Sequence, residues 1–289
     1  MGVKIITDST SYIPKELIEK YDISVISLSI AIENDTFREV DMNNEEFYKK
    51  MDKSDTIPIS SQPSVDEIYK VFEKHVKENN DIVGIFISSK MSGTFSTACL
   101  VKNMILENYP ESKIEILDSK SASMQLAFAV ITAAKVAYDG NALGEVVQAV
   151  QKNQERSRIL FAPDTLKYLK KGGRIGGASA LIGSLLQIKP ILTVVEGKVE
   201  VLHKVRAKKR AIQTMLNILF EDVKKYGFGE VTILHINCQE TAKKMLDMVK
   251  KRFGMKVKIC DISPVIGIHV GPGAFGIAYY TKDELKTRV

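Results

Sequence analysis

The sequence lacks the features that mark several specialised classes of protein. Its 289 residues include three cysteines, Cys99, Cys238 and Cys260, which lie far apart and form neither a disulfide framework nor a C-x-x-C metal or redox motif. No G-x-x-x-x-G-K-S/T motif occurs, so a nucleotide-hydrolysing P-loop is excluded. The 41 Lys and Arg and 35 Asp and Glu residues are interspersed, without the long single-sign blocks of a nucleic-acid-binding tail. The net charge of +6 therefore favours anionic ligands only weakly, and the cysteine usage favours a reducing cytoplasm.

Long hydrophobic runs are also missing. Only the uncharged segment Ile175–Ile188 needs consideration as a membrane span, and it stops at Lys189–Pro190, short of the ~20 apolar residues that cross a bilayer. Met1–Lys4 leads directly into a strand-like run, without the charged and apolar regions of a signal peptide. We expect a cytoplasmic protein that is not integral to the membrane, with Ile175–Ile188 buried inside it.

The length and the 45% of hydrophobic residues favour two ordinary globular domains, at roughly 150 residues per domain. Residues 1–155 alternate short β-rich runs with longer helix-like patterns, which indicates a parallel-sheet, Rossmann-like α/β domain. A polar stretch at Gln151–Arg158 marks the predicted boundary. In residues 156–289, Glu196–Gly197 separates two strand-like runs as in a hairpin, and helical patterns cross the other strands. We therefore predict a second, α+β domain.

Three local patterns give sharper expectations. Ile23–Ile32 has the pattern of one continuous strand, followed by a polar connection. Ser60 and Ser61 fall in a proline-flanked loop, which ends at a capping box before the predicted helix Val65–Glu78. Ile266–Val270 has the β-type composition of another strand.

Hydroxyl side chains recur where strands of the first half give way to loops. The carboxyl ends of parallel strands face one crevice, where ligands bind, so these hydroxyls are predicted to converge there. Ser92-Gly93-Thr94 is the sharpest case, because a helix N-terminus offers backbone N–H groups and glycine allows a small anion to approach closely. A carboxylate or a phosphate would fit, and ordinary N-capping is the alternative interpretation. The predicted set is Ser9, Thr10, Ser11, Ser60, Ser61, Ser88, Ser89, Ser92, Thr94, Ser119 and Ser121.

Two glycine-rich segments are candidates for close approach of backbone and ligand. Gly271–Gly276 formally matches G-x-G-x-x-G, yet β-type residues follow it where a dinucleotide site needs a helix. Lys170–Gly177 contains Arg174, and His269 lies just before the other segment, so these two residues are candidates for polar contacts beside the glycines. The alternative for the histidine is a purely structural role.

Other chemistry finds little support in the sequence. His235 and Cys238 lie three residues apart on a predicted strand, hence on opposite faces, which makes them poor ligands for a shared metal. No Ser–His–acid set or carboxylate pair stands out, and we predict no catalytic residues and no metal site. The basic cluster Lys204–Arg210 lacks interleaved aromatics, which favours a solvated face, or else a docking surface, over a nucleic-acid site.

Taken together, these segments resemble the DegV family of bacterial fatty-acid-binding proteins. The matching motifs span the chain in the order of the family. They are DSTS (Asp8–Ser11), SSQPS (Ser60–Ser64), SSKMSGT (Ser88–Thr94), LKKGGRIG (Leu169–Gly176) and HVGPGAFG (His269–Gly276).

The resemblance implies a two-domain fold with a long-chain fatty acid, such as palmitate, buried between the domains. The residues that match the family's carboxylate site are Ser60, Ser61, Ser92, Gly93 and Thr94. Two further matches, Arg174 and His269, are similar to positions near the exposed carboxyl end or the phosphate of a partner. The family usually has Thr then Ser before Gln-Pro, whereas this chain has Ser at both positions, so which hydroxyl holds the carboxylate stays open.

The resemblance also implies a function. It indicates a cytoplasmic carrier with no catalysis and no cofactor of its own, which delivers a fatty acid to a separate, ATP-binding fatty acid kinase that forms an acyl-phosphate for phospholipid synthesis. One alternative is an enzyme that acts on a small phosphorylated or acyl substrate at the Ser92–Thr94 crevice. Another is a nucleic-acid-binding regulator that uses Lys204–Arg210, although we expect no nucleic-acid partner.

The energetics of such a ligand are coherent. About 14 methylenes at ~0.8 kcal/mol each gain on the order of 11 kcal/mol on burial, before ordering costs. Hydrogen bonds to a charged head group contribute roughly 1.5–3 kcal/mol each. The tail would therefore set the binding affinity, and the hydroxyls would set the orientation of the ligand. Ile175–Ile188 is a candidate tunnel wall, because its Gly and Ala residues leave room, and a close-packed core helix is the alternative.

Overall fold

The computed structural model describes residues 2–54, 56, 58–182, 188–254 and 257–286. The strands are β1 (Val3–Asp8), β2 (Ser24–Ile26), β3 (Ser29–Ile32), β4 (Asp35–Arg38), β5 (Ile59–Ser61), β6 (Asp81–Phe86), β7 (Ile114–Asp118), β8 (Ser157–Ala162), β9 (Lys189–Val195), β10 (Lys198–Val205), β11 (Phe228–His235), β12 (Lys258–Asp261) and β13 (Phe275–Thr281). The helices are α1 (Lys15–Tyr21), α2 (Asn44–Lys53), α3 (Val65–Lys77), α4 (Thr94–Asn108), α5 (Ser123–Tyr138), α6 (Leu143–Glu155), α7 (Lys167–Lys171), α8 (Lys208–Tyr226), α9 (Gln239–Phe253) and α10 (Pro264–Val270). Short 3-10 helices cover Ser9–Ser11, Glu39–Asp41 and Gly176–Leu181.

The first half is built on a parallel sheet, as the alternating pattern predicts. Its strand order is β2-β1-β6-β7, and all of its pairings are parallel. Successive residues of β1 bury opposite faces. Ile6 packs in an apolar cluster with residues of α3 and α4, whereas Ile5 packs in a cluster with residues of α5. Burial on both faces explains why β6 is a nearly continuous apolar run.

The second half is built on a six-stranded sheet of order β10-β9-β8-β13-β11-β12. One face, with Leu160, Ile233 and Ile277, packs against residues of α8 and α9. The other face carries Ile159 and Leu234, which belong to the same apolar cluster as residues of α5. The two sheets therefore lie on either side of shared apolar contacts. This confirms the mixed α/β architecture. The chain passes from the first half to the six-stranded sheet between α6 and β8. The domain boundary at residue 155 stays a prediction.

The prediction of one strand over Ile23–Ile32 is wrong. The chain breaks between β2 and β3, and β3 joins a small separate sheet of order β4-β3-β5. Two side-chain hydrogen bonds stabilise the break. Leu28 N donates to Ser9 Oγ (3.0 Å), and Ser27 Oγ, which lies at the break, accepts from Val40 N (3.3 Å). The expected polar connection contains β4, and Ser60 and Ser61 lie on the edge strand β5 rather than in a loop.

The predicted strand over Ile266–Val270 is also wrong, because these residues form most of helix α10. Pro264 occupies the first turn of this helix, where proline is favoured, and Gly271, with φ of +94°, ends it. An added Cβ at Gly267 would overlap the hydroxyl of Tyr48, so α10 packs very closely on α2. Short apolar runs do not distinguish strand from helix, and tertiary packing decides here.

Several local predictions are confirmed. Ser64 and Glu67 form the capping box of α3, with Glu67 N donating to Ser64 Oγ (3.2 Å) and Ser64 N donating to Glu67 Oε2 (3.0 Å). The hairpin of β9 and β10 turns at Glu196–Gly197.

The apolar segment Ile175–Ile188 differs from expectation. Its described start is a 3-10 helix in which Ala178 and Leu181 are buried, while Ile182 is 43% exposed. Residues 183–187 lie outside the described part of the chain. Among the described residues, none of the helices is both long and apolar enough to cross a membrane.

The close packing of α10 on α2 gives a prediction. Gly267→Ala should lower the free energy of unfolding by about 1–3 kcal/mol, because the new methyl overlaps the buried Tyr48 hydroxyl. Gly144→Ala is the control: nothing lies within 4 Å of its Cβ position in α6, so the change should stabilise by about 0.5–1 kcal/mol. Urea unfolding measures both, and equal effects of the two changes would contradict the packing.

Candidate functional site

A cavity of about 370 Å³ lies between the carboxyl edge of the parallel sheet and the inner face of the six-stranded sheet. Leu28, Ile87 and Ala122 line it from segments that follow β2, β6 and β7. This is the edge at which open parallel sheets bind ligands. Most of the wall is apolar. Its other apolar residues are Met91, Ile159, Phe161, Leu169, Val194, Val199, Leu234, Ile236, Ile262, Val265, Ile266, Val270, Ala274 and Phe275.

Six of the seven predicted site residues line this one cavity, although they come from four separate segments. The seventh, Thr94, stands directly behind Ser92, with 2.9 Å between the two hydroxyl oxygens. The six are Ser60, Ser61, Ser92, Gly93, Arg174 and His269. The described residues of Ile175–Ile188 are not among the lining residues, so the predicted tunnel wall is not found in the described part of that segment.

The Ser92–Thr94 loop is built around the start of α4. Gly93 is the N-cap residue and offers no side chain to cap the helix, while Thr94 N donates to Ser92 Oγ at 3.3 Å. An added Cβ at Gly93 would overlap Gln62 Oε1, so glycine permits the close approach of β5 and its following residue. Gln62 Nε2 in turn donates to Thr97 Oγ1 (2.7 Å) in the first turn of α4. The hydroxyls of β5 and of the α4 loop are thereby held at the same end of the cavity.

His269 joins α10 to β5. Its Nε2 lies 2.8 Å from Ser60 Oγ, and its buried Nδ1 has no hydrogen-bond partner among the described residues. Burial, and secondarily the charge of Arg174, lowers the pKa of His269 to about 4. The imidazole is therefore neutral at neutral pH, and it acts as a hydrogen-bonding group rather than as a cation.

Arg174 lies at the rim of the cavity and is exposed. Its Nε donates to the carbonyl of Met91 (2.9 Å) and its Nη1 to the carbonyl of Gly172 (2.6 Å). These two bonds hold the guanidinium between the loop before α4 and the glycine-rich segment. The site thus has one fixed cation at its rim and neutral donors inside.

The glycine-rich segments line the cavity and also pack against each other. An added Cβ at Gly172 would overlap His269 Nδ1, and one at Gly271 would overlap the ring of Tyr168. These glycines let α7 and α10 approach closely, which places His269 against Ser60.

Several of the predicted hydroxyls do not reach the cavity. Ser9, Thr10 and Ser11 donate to Glu39 Oε2 (2.5 Å), Asp8 Oδ1 (2.5 Å) and the Asp8 carbonyl (2.9 Å). Ser119 Oγ donates to the Ser121 carbonyl, and Ser121 Oγ donates to Gln125 Oε1. The carboxylate of Asp8 also accepts from Ile87 N (2.7 Å). The Asp8–Ser11 motif therefore links the ends of β1 and β6 by hydrogen bonds. The prediction that all of these hydroxyls converge on a ligand is wrong.

Glu39 is a buried residue that the sequence did not single out. Its Oε1 accepts from Val265 N (3.0 Å), at the start of α10, and from the hydroxyl of Tyr12 (3.2 Å). Burial raises the pKa of Glu39 to about 7, and the bonds from Ser9, Val265 and Tyr12 oppose that rise. Glu39 thus fixes the beginning of the helix that carries His269. Sequence offered no signal, because this carboxylate lies in an apparently polar connection.

Three further polar residues line the cavity, namely Gln62, Ser123 and His235. Gln62 belongs to the SSQPS motif, which could have identified it as a site residue, whereas no sequence motif marks Ser123 or His235. His235 Nδ1 lies 3.2 Å from Asp261 Oδ1, and burial lowers the pKa of this histidine. No group of three or more His, Cys, Asp and Glu side chains suited to a metal is found among the described residues.

Comparison with known proteins decides the family. A family model described as "Uncharacterised protein, DegV family" matches residues 2–282. The chain belongs to the DegV family. A DegV domain-containing protein of Clostridium acetobutylicum is 52% identical over 286 residues, which cover 99% of this chain and 100% of that protein. The family that the resemblance indicated is thus confirmed.

Two solved structures share the fold closely. The structure described as DegV, a fatty acid binding protein from Bacillus subtilis, is 30% identical, with a TM-score of 0.86 over 98% of this chain and 100% of that one. A stearic acid-binding protein from Eubacterium ventriosum is 25% identical, with a TM-score of 0.88 over 97% of this chain and 98% of that one.

The buried carboxylate of Glu39 predicts a pH effect on stability. The folded protein holds a proton on Glu39 up to about pH 7, whereas the unfolded chain loses it near the ordinary value of 4.5. The contribution of Glu39 to the free energy of unfolding is therefore present below pH 4.5 and is lost as pH rises to about 7, by at most about 3 kcal/mol.

Glu39→Gln tests this effect, because the difference in unfolding free energy between the wild type and the variant cancels the titration of His269 and Asp8. We expect the stability of the wild type relative to the variant to fall between about pH 5 and pH 7.5. Urea titrations across this range measure it, and a difference that does not vary with pH would contradict the assignment.

Proposed function

We propose that this DegV-family protein is a carrier that binds one long-chain fatty acid, such as palmitate, in the cavity between its sheets. The observation that carries the proposal is the cavity itself, whose apolar wall ends in a cluster of hydroxyl and amide groups. The fatty-acid binding described for the relatives from Bacillus subtilis and Eubacterium ventriosum supports it. A volume of about 370 Å³ is within the range of small-molecule sites.

The acyl chain would lie between the ends of the parallel strands and the inner face of the second sheet. Ile87, Ile159, Leu234 and Val265 are among the side chains that would contact its methylenes. Each buried methylene contributes about 0.8 kcal/mol, so the tail supplies most of the affinity. The apolar wall would contact only the tail, so it does not select the chemistry of the head group.

The carboxylate would bind at Ser60, Ser61, Ser92, Gly93 and Thr94. Thr94 Oγ1 can donate to Ser92 Oγ, which leaves the Ser92 proton free for a carboxylate oxygen. His269 can act on Ser60 in the same way, through a proton on Nε2. Neutral donors of this kind bind a carboxylate without the cost of burying a second charge. Arg174 adds a cation at the rim.

The exposed rim supports a role in presentation. Arg174 is an exposed cation in the lining of the site, and Lys170 and Lys171, which follow the lining residue Leu169 in the sequence, are exposed as well. A phosphate-bearing partner would meet favourable charge there. We therefore include delivery of the bound acid, in the cytoplasm, to an ATP-binding fatty acid kinase. In this proposal the protein needs no cofactor and performs no catalysis, because it only holds the acid whose carboxylate the kinase phosphorylates.

Head-group binding is tested by the double change Ser61→Ala with Ser92→Ala. We expect palmitate affinity to fall at least about tenfold, because hydrogen bonds to a charged group are lost. Ser96→Ala, an exposed hydroxyl in the first turn of α4, is the matched control and should bind as the wild type does. Isothermal calorimetry measures both, and unchanged affinity in the double variant, with an intact fold, would remove these hydroxyls from the site.

The role of Arg174 in presentation is tested with a fatty acid kinase and palmitate-loaded carrier. Arg174→Gln should lower the rate of acyl-phosphate formation at subsaturating carrier, because the rim loses its fixed cation. Lys243→Gln, an exposed cation on α9, is the control for a general charge effect. Equal rates for the wild type and both variants would argue against presentation through this rim.

A further inference from the structure

Residues 28–54 and strand β5 form a separate layer of the structure, which we call the cover; the rest of the chain is the body. The cover contains the small sheet of order β4-β3-β5, the 3-10 helix Glu39–Asp41 and helix α2. Its strands belong to neither of the two large sheets. Within the described residues, no backbone-to-backbone hydrogen bond joins the cover to the body. The cover is therefore attached through its sequence connections and through side chains.

The mouth of the apolar cavity lies along the boundary between the cover and the body. Four of the residues that line the cavity are exposed, whereas the others are buried or half-buried. Ser61 belongs to the cover and Gln62 directly follows it, while Gly93 and Arg174 belong to the body. A displacement of the cover would therefore widen the mouth through which an acyl chain enters or leaves.

The inner side of the cover packs on the helix that forms part of the cavity wall. Ile30 and Ile32 of β3 and Tyr48 of α2 are buried in one apolar cluster with Val265 and Ile268 of α10. Apolar contacts of this kind favour a closed cover, but they are non-directional. The exact position of the closed cover therefore depends on its polar contacts with the body.

Glu39 is the side chain of the cover that contacts two separate parts of the body. Its Oε2 accepts from Ser9 Oγ (2.5 Å), just after β1, and the same Ser9 oxygen accepts from Leu28 N (3.0 Å) of the cover. Its Oε1 accepts from the hydroxyl of Tyr12 (3.2 Å) and from Val265 N (3.0 Å), at the start of α10. One buried carboxylate thus joins the cover to both halves of the body.

We propose that the cover opens as a unit to admit the acyl chain, and that Glu39 is the latch that holds it closed. The inference rests on the proposed fatty-acid binding. A part of a protein that is held by few backbone hydrogen bonds opens at a lower free energy than the whole fold. Ser60 and Ser61 move with the cover, whereas Ser92 and Gly93 stay on the body. The head-group site is therefore complete only when the cover is closed.

Tyr12→Phe tests the latch, because it removes a hydrogen bond to Glu39 and Tyr12 is not among the residues that line the cavity. We expect it to raise both the association rate and the dissociation rate of cis-parinarate, a fluorescent long-chain fatty acid, by about three- to tenfold. The dissociation constant should stay within about twofold of the wild type, since loss of the latch favours opening of the free and the loaded protein alike. Stopped-flow fluorescence measures both rates.

Tyr109→Phe is the matched control, because it also removes a bond from a tyrosine hydroxyl to a glutamate, Glu73 on α3, away from the cover (3.1 Å). Its rates should equal those of the wild type. Ser9→Ala is a second latch variant and should accelerate both rates as Tyr12→Phe does. Rates that do not change in either latch variant, or a rise in the dissociation rate alone, would assign these residues a purely structural role and overturn the inference.

Hydrogen–deuterium exchange of the protein without ligand tests the opening separately from fatty-acid binding. In Tyr12→Phe the amides of β3 and α2 should exchange about three- to tenfold faster than in the wild type and by the same factor, because the cover opens as a unit. Exchange that is unchanged, or that rises in only one of the two elements, would overturn the opening. If the wild type binds neither cis-parinarate nor palmitate, the proposed function is wrong and the role of the cover in admitting a fatty acid is overturned with it.

Discussion

The arrangement of the site depends on a buried carboxylate that holds one short helix in place. Glu39 accepts the backbone N–H of Val265, and Tyr12 bonds both to Glu39 and to the first turn of α10. The same helix supplies Val265, Ile266 and Val270 to the cavity wall and His269 to the hydroxyl of Ser60. One polar network therefore positions both the apolar wall and part of the head-group site. Its cost is the burial of a carboxylate, which is why the pKa of Glu39 is raised.

Glycine makes the same arrangement sterically possible. Gly93 admits the side chain of Gln62, Gly172 admits the ring of His269, and Gly267 admits the hydroxyl of Tyr48. Each contact joins segments that are far apart in the sequence, and the first two bring the polar groups of Gln62 and His269 to the wall of the cavity. The close contacts among protein segments explain these glycines without any phosphate ligand.

The sequence predicts the parts of the fold that local patterns determine. The apolar run of β6, the capping box of α3 and the turn at Glu196–Gly197 all carry their signal within a few residues. The same is true of the Ser92-Gly93-Thr94 loop, of which Ser92 and Gly93 line the cavity at the carboxyl edge of the parallel sheet.

Other parts depend on contacts that no local pattern records. The break between β2 and β3 is stabilised by side chains from Ser9 and Ser27, and α10 is a helix because of its packing on Glu39 and Tyr48. The hydroxyls of Ser9–Ser11 and those of Ser60 and Ser92 are equivalent as sequence, yet only the latter two face the cavity. The buried hydroxyl of Ser123, which has no hydrogen-bond partner in the described part of the chain, is likewise marked by no local pattern.

Fatty-acid binding is tested most directly by native mass spectrometry of the protein as purified from cells, followed by denaturing lipid extraction. We expect a mass excess equal to one long-chain fatty acid per chain, and recovery of that acid in the extract. Protein without any bound fatty acid, which also fails to take up added palmitate, would contradict it.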